Sequence, residues 1–536
     1  MKKRLAAVFL ALAMVISLAA CSSSSSSSDT SSSDASADTA STDTGTAESD
    51  FDGSLVVGIS DSLGSFQKGA DAGDCYTGQY LVFDMIFYTG TDGEVYSDIL
   101  EDWYYEDELT MVLKLKEGVY FNNGEEATAE DVIFSFTNYA ERGAMTASIF
   151  AGVDADNSYA EDDYTAVIKF TEEWGPGLDA VDAPLFCKSW CEEVGWDSED
   201  WLNCPVGSGP YEVVEYVTDS YVTLTLRDDY WGDDTMYNSA ITDITIQYYS
   251  TISTLYVDLQ TGAVDLALNI AEADYARASD GSEEGITVER ISTNEVEFLC
   301  LDTNNEYLSD ANIRLAIAYG VDWSVVADAG FGSLWDSADS LLNSRSAYYV
   351  SAGSYEYDYD KAMEYIDASG IDPSTVEFTF VAMADDDQQN MAEAFQYYMS
   401  ELGFTVNLEF YDFSTALMTW LEEGGTAFNF QESATGSPSG EPYISLNALM
   451  TKYGSFPICT VDDDYFNELA EAAISCIDED ERTELFAELQ AYNYENAFAI
   501  PMLEGYYAIG YDNTVISSVD FTSAISANLR EITLVQ

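Results

Sequence analysis

Apolar and polar positions first alternate and then change to a helical spacing over one stretch of the chain. Leu113 and Leu115 alternate with lysines, which is the period-two pattern of a half-buried strand. Asn122–Gly124 supplies residues that tolerate positive φ and therefore predicts a turn. Thr128 has Asp131 three positions on, an approximate capping box, and apolar residues follow at helical spacing. The stretch predicts strand, turn and helix, with no visible chemistry.

Similar patterns recur towards the C-terminus. Val222, Leu224 and Leu226 alternate with polar residues after a turn signal and predict a hairpin, and 310–322 has the spacing of a helix. Residues 356–424 read as helix, strand, helix of about four turns, and strand, which implies parallel pairing with a right-handed crossover. The body is therefore predicted to be mixed α/β, and its length predicts about three structural units.

The N-terminus has the pattern of an export signal. Three cations at positions 2–4 precede an apolar run, Leu5–Ala20, that is too short for a comfortable membrane span. Small residues stand directly before Cys21, as in a bacterial lipobox, in which the cysteine is diacylated and becomes the first residue. The alternative is an ordinary signal that is cleaved nearby. We expect residues 1–20 to be a signal peptide and Cys21 to be lipidated.

Ser, Thr, Asp, Ala and Gly dominate the segment that follows, and it has no large apolar side chain up to residue 50. Such a composition cannot bury enough surface to offset its ordering entropy, so we expect 21–50 to be a disordered tether. It would span on the order of 30 Å. No later stretch has the pattern of a transmembrane helix.

Charge and histidine content narrow the function classes. A net charge of −80 excludes a nucleic-acid partner, because phosphates would be repelled. The acids are spread along the whole chain, which favours an adaptation for solubility over a field that steers cationic ligands. The chain has no His, which removes Ser-His-Asp and Cys-His catalysis and two-His zinc sites. A hydrolase that uses two carboxylates stays open.

The chain has eight cysteines, including Cys21, so seven lie in the body. Cys187, Cys191 and Cys204 lie close enough in sequence for a local disulfide or a three-thiolate metal site, but no fourth ligand is near. Buried thiols or one or two disulfides are the preferred interpretation. We predict no metal and no cofactor.

Four motifs stand in order along the chain: EGVYFNNGEEATAEDVIFSF, PVGSGPY, DANIRLAIAYGVDW and YDYDKAMEYIDASG. With these motifs the body, 51–536, resembles the family 5 extracellular solute-binding proteins, the oligopeptide- and dipeptide-binding receptors of bacterial ABC importers. The resemblance implies a type II periplasmic-binding-protein-like fold, with two lobes joined by a hinge and an extra small domain on the first lobe. It places a base domain in three parts, 51–88, 206–295 and 506–536. The small domain would be 89–205, and the continuous second lobe would be 296–505.

The resemblance also implies a mechanism and partners. An open form would bind a peptide between the lobes, close over it, and present a surface to a permease and an ATPase. The protein would be a monomer without enzymatic activity, held by its lipid anchor at the extracellular face of the membrane. An oligosaccharide receptor on the same scaffold is the main alternative, and an extracellular hydrolase is a weaker one.

Several relatives cap the ligand's ammonium group with an Asp in a segment patterned aromatic-x-x-Asp. The matching segment here, Phe428–Ser433, has no Asp at that place, because Ser433 occupies it. Glu432 or Glu441 would have to substitute, so the resemblance does not settle whether a free amine is recognised. The full set of candidate ligand-binding residues is Asp74, Cys75, Tyr76, Ser148, Ile149, Phe150, Phe428, Phe430, Glu432, Ser433 and Tyr506. Arg314, inside a predicted helix, is expected to form a structural ion pair.

Overall fold

The structure is a computed structural model. It describes residues 51–60, 63–66, 76–90, 95–139, 150, 152–171, 183–196, 198–233, 235–346, 348–384, 386–412, 415, 430–436, 442, 450–451, 461–521 and 527–535. The expected signal peptide, Cys21 and the expected tether lie outside these residues. Among the described residues no helix is both long enough and apolar enough to cross a membrane.

Strands dominate the N-terminal half of the chain. They are β1 (Ser54–Ile59), β2 (Met85–Thr89), β3 (Val95–Tyr96), β4 (Leu100–Asp107), β5 (Thr110–Leu115), β6 (Tyr159–Asp162), β7 (Thr165–Lys169), β8 (Ala183–Pro184), β9 (Tyr211–Val217), β10 (Tyr221–Leu226), β11 (Asp243–Tyr248) and β12 (Leu266–Ala267). The helices are α1 (Tyr76–Val82), α2 (Ala129–Tyr139), α3 (Lys188–Val194), α4 (Asp200–Asn203), α5 (Ile252–Gln260) and α6 (Glu272–Ala278).

Longer elements follow in the C-terminal half. The strands are β13 (Ile286–Leu301), β14 (Trp335–Ser337), β15 (Glu377–Met383), β16 (Thr405–Tyr411), β17 (Phe430–Gly436), β18 (Ala499–Asp512), β19 (Ile516–Ser518) and β20 (Thr533–Leu534). The helices are α7 (Ala311–Gly320), α8 (Trp323–Phe331), α9 (Tyr359–Ser369), α10 (Asp386–Glu401), α11 (Asp464–Ser475) and α12 (Glu479–Asn496), with short 3₁₀ helices at Pro373–Thr375 and Leu529–Glu531.

One large sheet runs through the molecule in the order β16-β15-β17-β13-β18-β12-β1-β11-β10-β9, and β14 pairs with β18 beside it. Three smaller sheets, β3-β2-β8, β4-β5-β7-β6 and the two-stranded β19-β20, lie outside it among the described residues. We call β1, β9–β12 and the smaller sheets, with α1–α6, the first lobe. The second lobe comprises β15–β17 with α7–α12. Strands β13 and β18 belong to both lobes.

The buried side chains form separate cores in the two lobes. One cluster fills the first lobe and includes residues of the large sheet and of the smaller sheets, such as Leu55, Phe87, Leu113 and Ile516. A smaller cluster lies under α5 and α6. Two further clusters lie in the second lobe, one around α7–α10 and one around α11 and α12. Mixed α/β architecture and two lobes are therefore confirmed.

The strand, turn and helix predicted from the period change are confirmed as β5, a turn and α2. Gly124 takes a φ of 86°, and its amide donates to the Phe121 carbonyl at 2.9 Å. The Asp131 carboxylate accepts from the Thr128 amide at 2.9 Å, as a capping box requires. The Thr128 hydroxyl, however, donates to Asp131 instead of accepting from the helix, so only half of the box forms.

The other predicted elements are also present. β9 and β10 form the predicted hairpin, with Asp219 at a φ of 54° in the turn. β15, α10 and β16 form the predicted unit, and β15 pairs with β16 in parallel. Helix α9 ends at Ser369, and Gly370 caps it with a left-handed φ of 70°.

Distant stretches of the chain meet at a crossing that we call the first-lobe junction, defined by Asp84, Asp98, Gly207, Gly209 and Arg530. Both glycines approach the end of α1 closely: a Cβ at Gly207 would lie 2.0 Å from the Val82 carbonyl oxygen, and one at Gly209 would lie 2.6 Å from that of Leu81. The motif PVGSGPY therefore needs these two glycines, because no side chain fits between the backbones.

Buried charges close the same junction. One Arg530 nitrogen lies 3.2 Å from Asp84 and donates to the Phe83 carbonyl at 2.8 Å, and another nitrogen lies 3.3 Å from Asp98. Tyr230 and Trp231 donate to the Asp84 carboxylate at 2.8 and 2.7 Å. Burial raises the pKa of Asp84 to about 6, against the opposing effect of Arg530 and of these donors.

The cysteine interpretation is confirmed in part. Cys187, Cys191 and Cys300 are buried thiols, and Cys204 is an exposed one. In the described part of the chain no group of three or more His, Cys, Asp or Glu side chains is placed to hold a metal ion, so the three-thiolate site is not assembled there. Cys75 and Cys459 lie outside the described residues.

Candidate functional site

Two long strands connect the lobes. β13 and β18 pair antiparallel from Ile286 opposite Asp512 to Cys300 opposite Ala499. At the first-lobe end β18 also pairs with β12, and at the second-lobe end β13 also pairs with β17. A rotation of one lobe against the other therefore has to twist or bend these two strands.

The register between these strands shifts where they pass from one lobe to the other. Ser292 stands opposite Tyr506 and Val296 opposite Glu504, so three residues of β13 face Gly505 alone. Asn294 takes a φ of 59°, its amide donates to the Ser292 hydroxyl at 3.0 Å, and the Thr293 hydroxyl donates to the Gly505 carbonyl at 3.1 Å. Short polar side chains thus fix a bulge, which bends a strand and increases its twist.

Tyr506 lies directly beside this bulge. The Arg290 guanidinium stacks 4.3 Å from the centre of its ring, and the Tyr506 amide donates to the Leu334 carbonyl at 3.1 Å. Burial and a hydrogen bond to Asp336 raise the pKa of Tyr506 to about 12. The phenol is therefore neutral at physiological pH and serves as a hydrogen-bond donor.

On the side of the strands where Tyr506 lies, side chains make contacts between the lobes. We call this group the hinge seam, and it consists of Glu272, Arg290, Ser333, Asp336 and Tyr506. Glu272 accepts from the Ser333 hydroxyl at 2.7 Å, and an Arg290 nitrogen lies 3.3 Å from an Asp336 oxygen. Glu272 stands on the first-lobe helix α6 and Arg290 on the crossing strand β13, whereas Ser333 and Asp336 follow the second-lobe helix α8. The seam therefore adds side-chain contacts to the backbone hydrogen bonds of the β13–β18 ladder.

A buried carboxylate lies next to the seam. Glu504 is 6% exposed and accepts from both the amide and the hydroxyl of Ser344 at 2.7 Å. Burial raises the pKa of Glu504, and its bonds with Ser344 oppose that rise. The Ser344 loop is thereby attached to the crossing strand.

The segment Phe428–Ser433 falls partly on β17, which lies inside the sheet between β15 and β13. Phe430 stands opposite Leu301, Glu432 opposite Leu299 and Ser433 opposite Phe298. Phe430 also pairs in parallel with Phe380 of β15. The backbone here is thus a central strand.

Comparison with known proteins decides the family. A family model described as "Bacterial extracellular solute-binding proteins, family 5 Middle" matches residues 94–456. The chain belongs to this family. Its members are solute-binding proteins that act outside the cytoplasm, as extracellular or periplasmic proteins.

Individual relatives support this family assignment, and the matched regions cover most of the length of each relative. The chain is 22% identical over 437 residues to haem-binding protein A of Haemophilus influenzae, covering 75% of this chain and 78% of that protein. It is 23% identical over 451 residues to the dipeptide-binding protein of Escherichia coli, covering 76% and 80%. The solved complex of the oligopeptide-binding protein AppA from Bacillus subtilis with a nonapeptide has the same fold, with a TM-score of 0.70 at 16% identity over 90% of this chain and 99% of that chain.

The structure places some of the predicted ligand-binding residues of this solute-binding protein. Tyr506 lies at the hinge, the backbones of Phe430, Glu432 and Ser433 lie in β17, and Tyr76 begins α1. Phe150 has no exposed surface and packs against Phe136 and Tyr139 at ring-centre distances of 5.5 and 4.9 Å, which favours a packing role. Asp74, Cys75, Ser148, Ile149 and Phe428 lie outside the described residues.

Arg314 has a structural role, but the expected ion pair is wrong. It is buried, and its guanidinium donates to the carbonyls of Asn496 at 2.9 Å, Leu308 at 2.8 Å and Ser309 at 3.1 Å. It also stacks 4.7 Å from the Phe498 ring centre. Burial lowers its pKa to about 10, so it stays charged at neutral pH.

Sequence reasoning missed the hinge seam. Arg290 and Asp336 lie 46 residues apart, and no local pattern connects them. The one signal in the sequence is Ser292-Thr293-Asn294, three short polar residues that interrupt an apolar strand pattern. Such residues form local hydrogen bonds and tolerate left-handed backbone, which is how they serve here.

Proposed function

We propose that this protein is a lipid-anchored substrate-binding protein that captures peptides between its two closing lobes and delivers them to the permease and ATPase of an ABC importer. The observation that carries the proposal is the crossing at β13 and β18. Two lobes with separate cores share these two strands, and the register shifts between Ser292 and Val296, where the strands cross. This is the connection that hinge closure around a solute requires.

Peptide as the solute is supported by relatives that bind peptides, including the dipeptide-binding protein of Escherichia coli and AppA in its nonapeptide complex. An extended peptide can be held through its backbone, and hydrated pockets then tolerate varied side chains. Capture of this kind needs no catalytic group, so we propose a receptor without enzymatic activity that works as a monomer.

The proposed boundaries follow the same crossing. The second lobe would run from 296 to 505 and the base domain would comprise 51–88, 206–295 and 506–536, with 89–205 as the small domain. The register shift at Ser292–Val296 and Gly505 supports both crossing points. The proposed ligand-binding residues are the ones predicted from the sequence. Glu432 and Tyr506 are the first to test, because their backbones lie in the strands β17 and β18.

The proposed anchor is a diacylated Cys21 after removal of residues 1–20, which would hold the protein at the extracellular face of the membrane. Growth with an alkyne-tagged fatty acid tests it directly. We expect label on the full chain and none on a Cys21→Ser variant. Equal label on both would contradict the anchor without touching the receptor assignment.

The experiment that tests the function is native purification of the full chain from a bacterial host grown in rich medium, followed by denaturation and mass spectrometry of whatever is released. A series of short peptides would support the proposal. Oligosaccharides would move the assignment to sugar uptake on the same scaffold. Cleavage of a peptide or glycoside panel by the purified protein would replace the receptor with a hydrolase.

Glu432 gives a sharper test of how a peptide would be held. A Glu432→Gln variant should bind tetra-alanine roughly 10- to 100-fold more weakly if the carboxylate receives the ammonium group, because a charge-assisted hydrogen bond is lost. N-acetylated tetra-alanine should not discriminate between the two proteins. Glu409→Gln, on the exposed edge strand β16, is the matched control. Unchanged affinity for the free amine would remove Glu432 from the site.

A further inference from the structure

The hinge seam ties the two lobes together on one side of the crossing strands. Besides its bond with the Ser333 hydroxyl, Glu272 accepts from the Ser333 amide at 3.3 Å. Arg290 donates to the carbonyls of Ser333 and Trp335 at 3.4 and 3.3 Å and makes two contacts of 3.4 Å with one Asp336 oxygen. Side chains of the first-lobe helix α6 and of the crossing strand β13 thus hold a single short segment that follows α8.

Close backbone approach keeps this segment near α6. Gly332 has a φ of 56°, and a Cβ there would lie 2.9 Å from the Glu272 carboxyl carbon. Directly after it, β14 pairs with β18, with Trp335 opposite Gly505 and Asp336 opposite Glu504. The segment therefore lies between a first-lobe helix and the crossing strand.

Rotation about the crossing strands would change these distances first. Arg290 and Tyr506 stand on neighbouring strands, so the ladder fixes their stacking, whereas Asp336 and Ser333 reach them from the α8–β14 segment. Asp336 pairs with β18 at Glu504, on the second-lobe side of the bulge, whereas Arg290 and Tyr506 stand on the first-lobe side, so a turn of the lobes about the bulge changes the distance between Arg290 and Asp336. The contacts of the seam thus depend on how the lobes are oriented, and they depend less on whether each lobe is folded.

The strength of the seam suits that response. The Arg290 side chain is 30% exposed and that of Asp336 is 52% exposed, and ion pairs that keep their water contribute little to folding. Their separation of 3.3 Å exceeds the ~2.8 Å of a tight charged hydrogen bond. Even so, a fivefold change in the ratio of two lobe orientations needs a difference of only about 1 kcal/mol.

We propose that Glu272, Arg290, Ser333 and Asp336 form an interlobe latch that favours the lobe orientation seen here and so sets how often the protein adopts it without solute. The role of that orientation in solute capture rests on the proposed function, but the latch itself does not. Arg290 is a positioning residue, because it holds the α8–β14 segment in place and does not itself contact a solute in this proposal. Since the ion pair is exposed, salt should weaken the latch.

The test uses the full chain, stripped of bound solute in guanidinium chloride and refolded, with Arg290→Gln as the variant. Small-angle X-ray scattering measures the lobe arrangement, and hydrogen exchange followed by mass spectrometry measures opening of residues 331–337. We expect the variant to change the radius of gyration and to exchange this segment about fivefold faster, as a loss on the order of 1 kcal/mol implies. Raising the salt concentration should reduce the difference between the wild-type protein and the variant, because salt screens the ion pair that only the wild-type protein has.

The chain offers a matched control in Arg277. This arginine also pairs with carboxylates, Asp274 at 2.9 Å and Glu283 at 3.1 Å, and also stacks on a tyrosine, Tyr256, at 5.4 Å, but all of these groups lie within the first lobe. Arg277→Gln should leave both readouts at their wild-type values. Equal effects of the two variants, or no effect of Arg290→Gln, would overturn the latch. Neither readout requires a solute, so the result does not depend on the proposed function.

Discussion

Two arginines each join stretches of the chain that are distant in sequence. Arg530 does so in the first-lobe junction, and Arg290 does so in the hinge seam. The Arg530 side chain is 5% exposed and the Asp84 carboxylate beside it is fully buried, whereas the Arg290 side chain is 30% exposed. Asp84 also accepts from Tyr230 and Trp231, while Asp336 reaches Arg290 only at 3.3–3.4 Å. The same pair of chemical groups is therefore buried in one place and hydrated in the other.

The difference indicates which connection is fixed and which can move. Charges that have lost their water cannot separate without leaving an uncompensated charge behind, so the first-lobe junction stays closed. Charges that keep their water can separate at small cost, so the hinge seam can open. Stability measurements on variants of the two regions test this contrast.

The largest effect should come from Arg530→Met. This change leaves the Asp84 and Asp98 carboxylates buried without their cation, and removal of one buried partner typically costs about 3–5 kcal/mol. Urea unfolding, followed by circular dichroism, measures the loss. A loss below 1 kcal/mol would mean that the junction is not fixed by its charges.

The next largest loss of stability should come from Gly207→Ala. The added Cβ would lie 2.0 Å from the Val82 oxygen, and overpacking of this kind costs about 1–3 kcal/mol. Gly118→Ala is the control, because nothing lies within 4 Å of a Cβ there and only the strain of its φ of 82° is added. If Gly207→Ala unfolds at the same urea concentration as the wild-type protein, the close approach at the junction is not needed.

The pH dependence of Asp84 tests the same burial. Its folded pKa, about 6, lies above its ordinary value of 3.8, so the folded state holds an extra proton between these values. The stability that Asp84 contributes is then fully present below pH 3.8 and is lost as the pH rises through 6. The free energy of unfolding of the wild-type protein should therefore gain on that of Asp84→Asn as the pH falls from 7 to 4. A constant difference would show that burial does not perturb Asp84.

The smallest effect on stability should come from Arg290→Gln, at about 0–1 kcal/mol in the same urea experiment. Its partner Asp336 is left exposed to water, where a lone carboxylate is well solvated. The ratio between this loss and that of Arg530→Met measures the contrast between the two regions. Losses of equal size would falsify the distinction between a fixed junction and an opening seam.

Local patterns predicted much of this fold. The change of period near Leu115, the turn at Gly124 and the alternation after Asp219 each gave the correct element, because every residue that decides them lies within a few positions. The unit β15-α10-β16 followed from the same kind of signal. The ordered motifs then gave the family and the two lobes.

Contacts between distant stretches were beyond local patterns. Asp84 and Arg530 lie 446 residues apart, and nothing near either residue indicates the other. The expected ion pair of Arg314 was wrong for a related reason, since the partners are backbone carbonyls, which every residue carries. The central strand β17 was not recognised because Gln431, Glu432 and Ser433 interrupt its apolar pattern.

The order in which the chain is made adds a consequence of the first-lobe junction. Strand β1 begins at Ser54, but the first lobe is closed only by β18 and Arg530, near the other end of the chain. A growing chain cannot complete these pairings until almost all of it has been synthesised, and such distant pairings form slowly. The first lobe therefore stays unfinished until synthesis of the chain is almost complete, whereas the helices and buried clusters of the second lobe are already present by then.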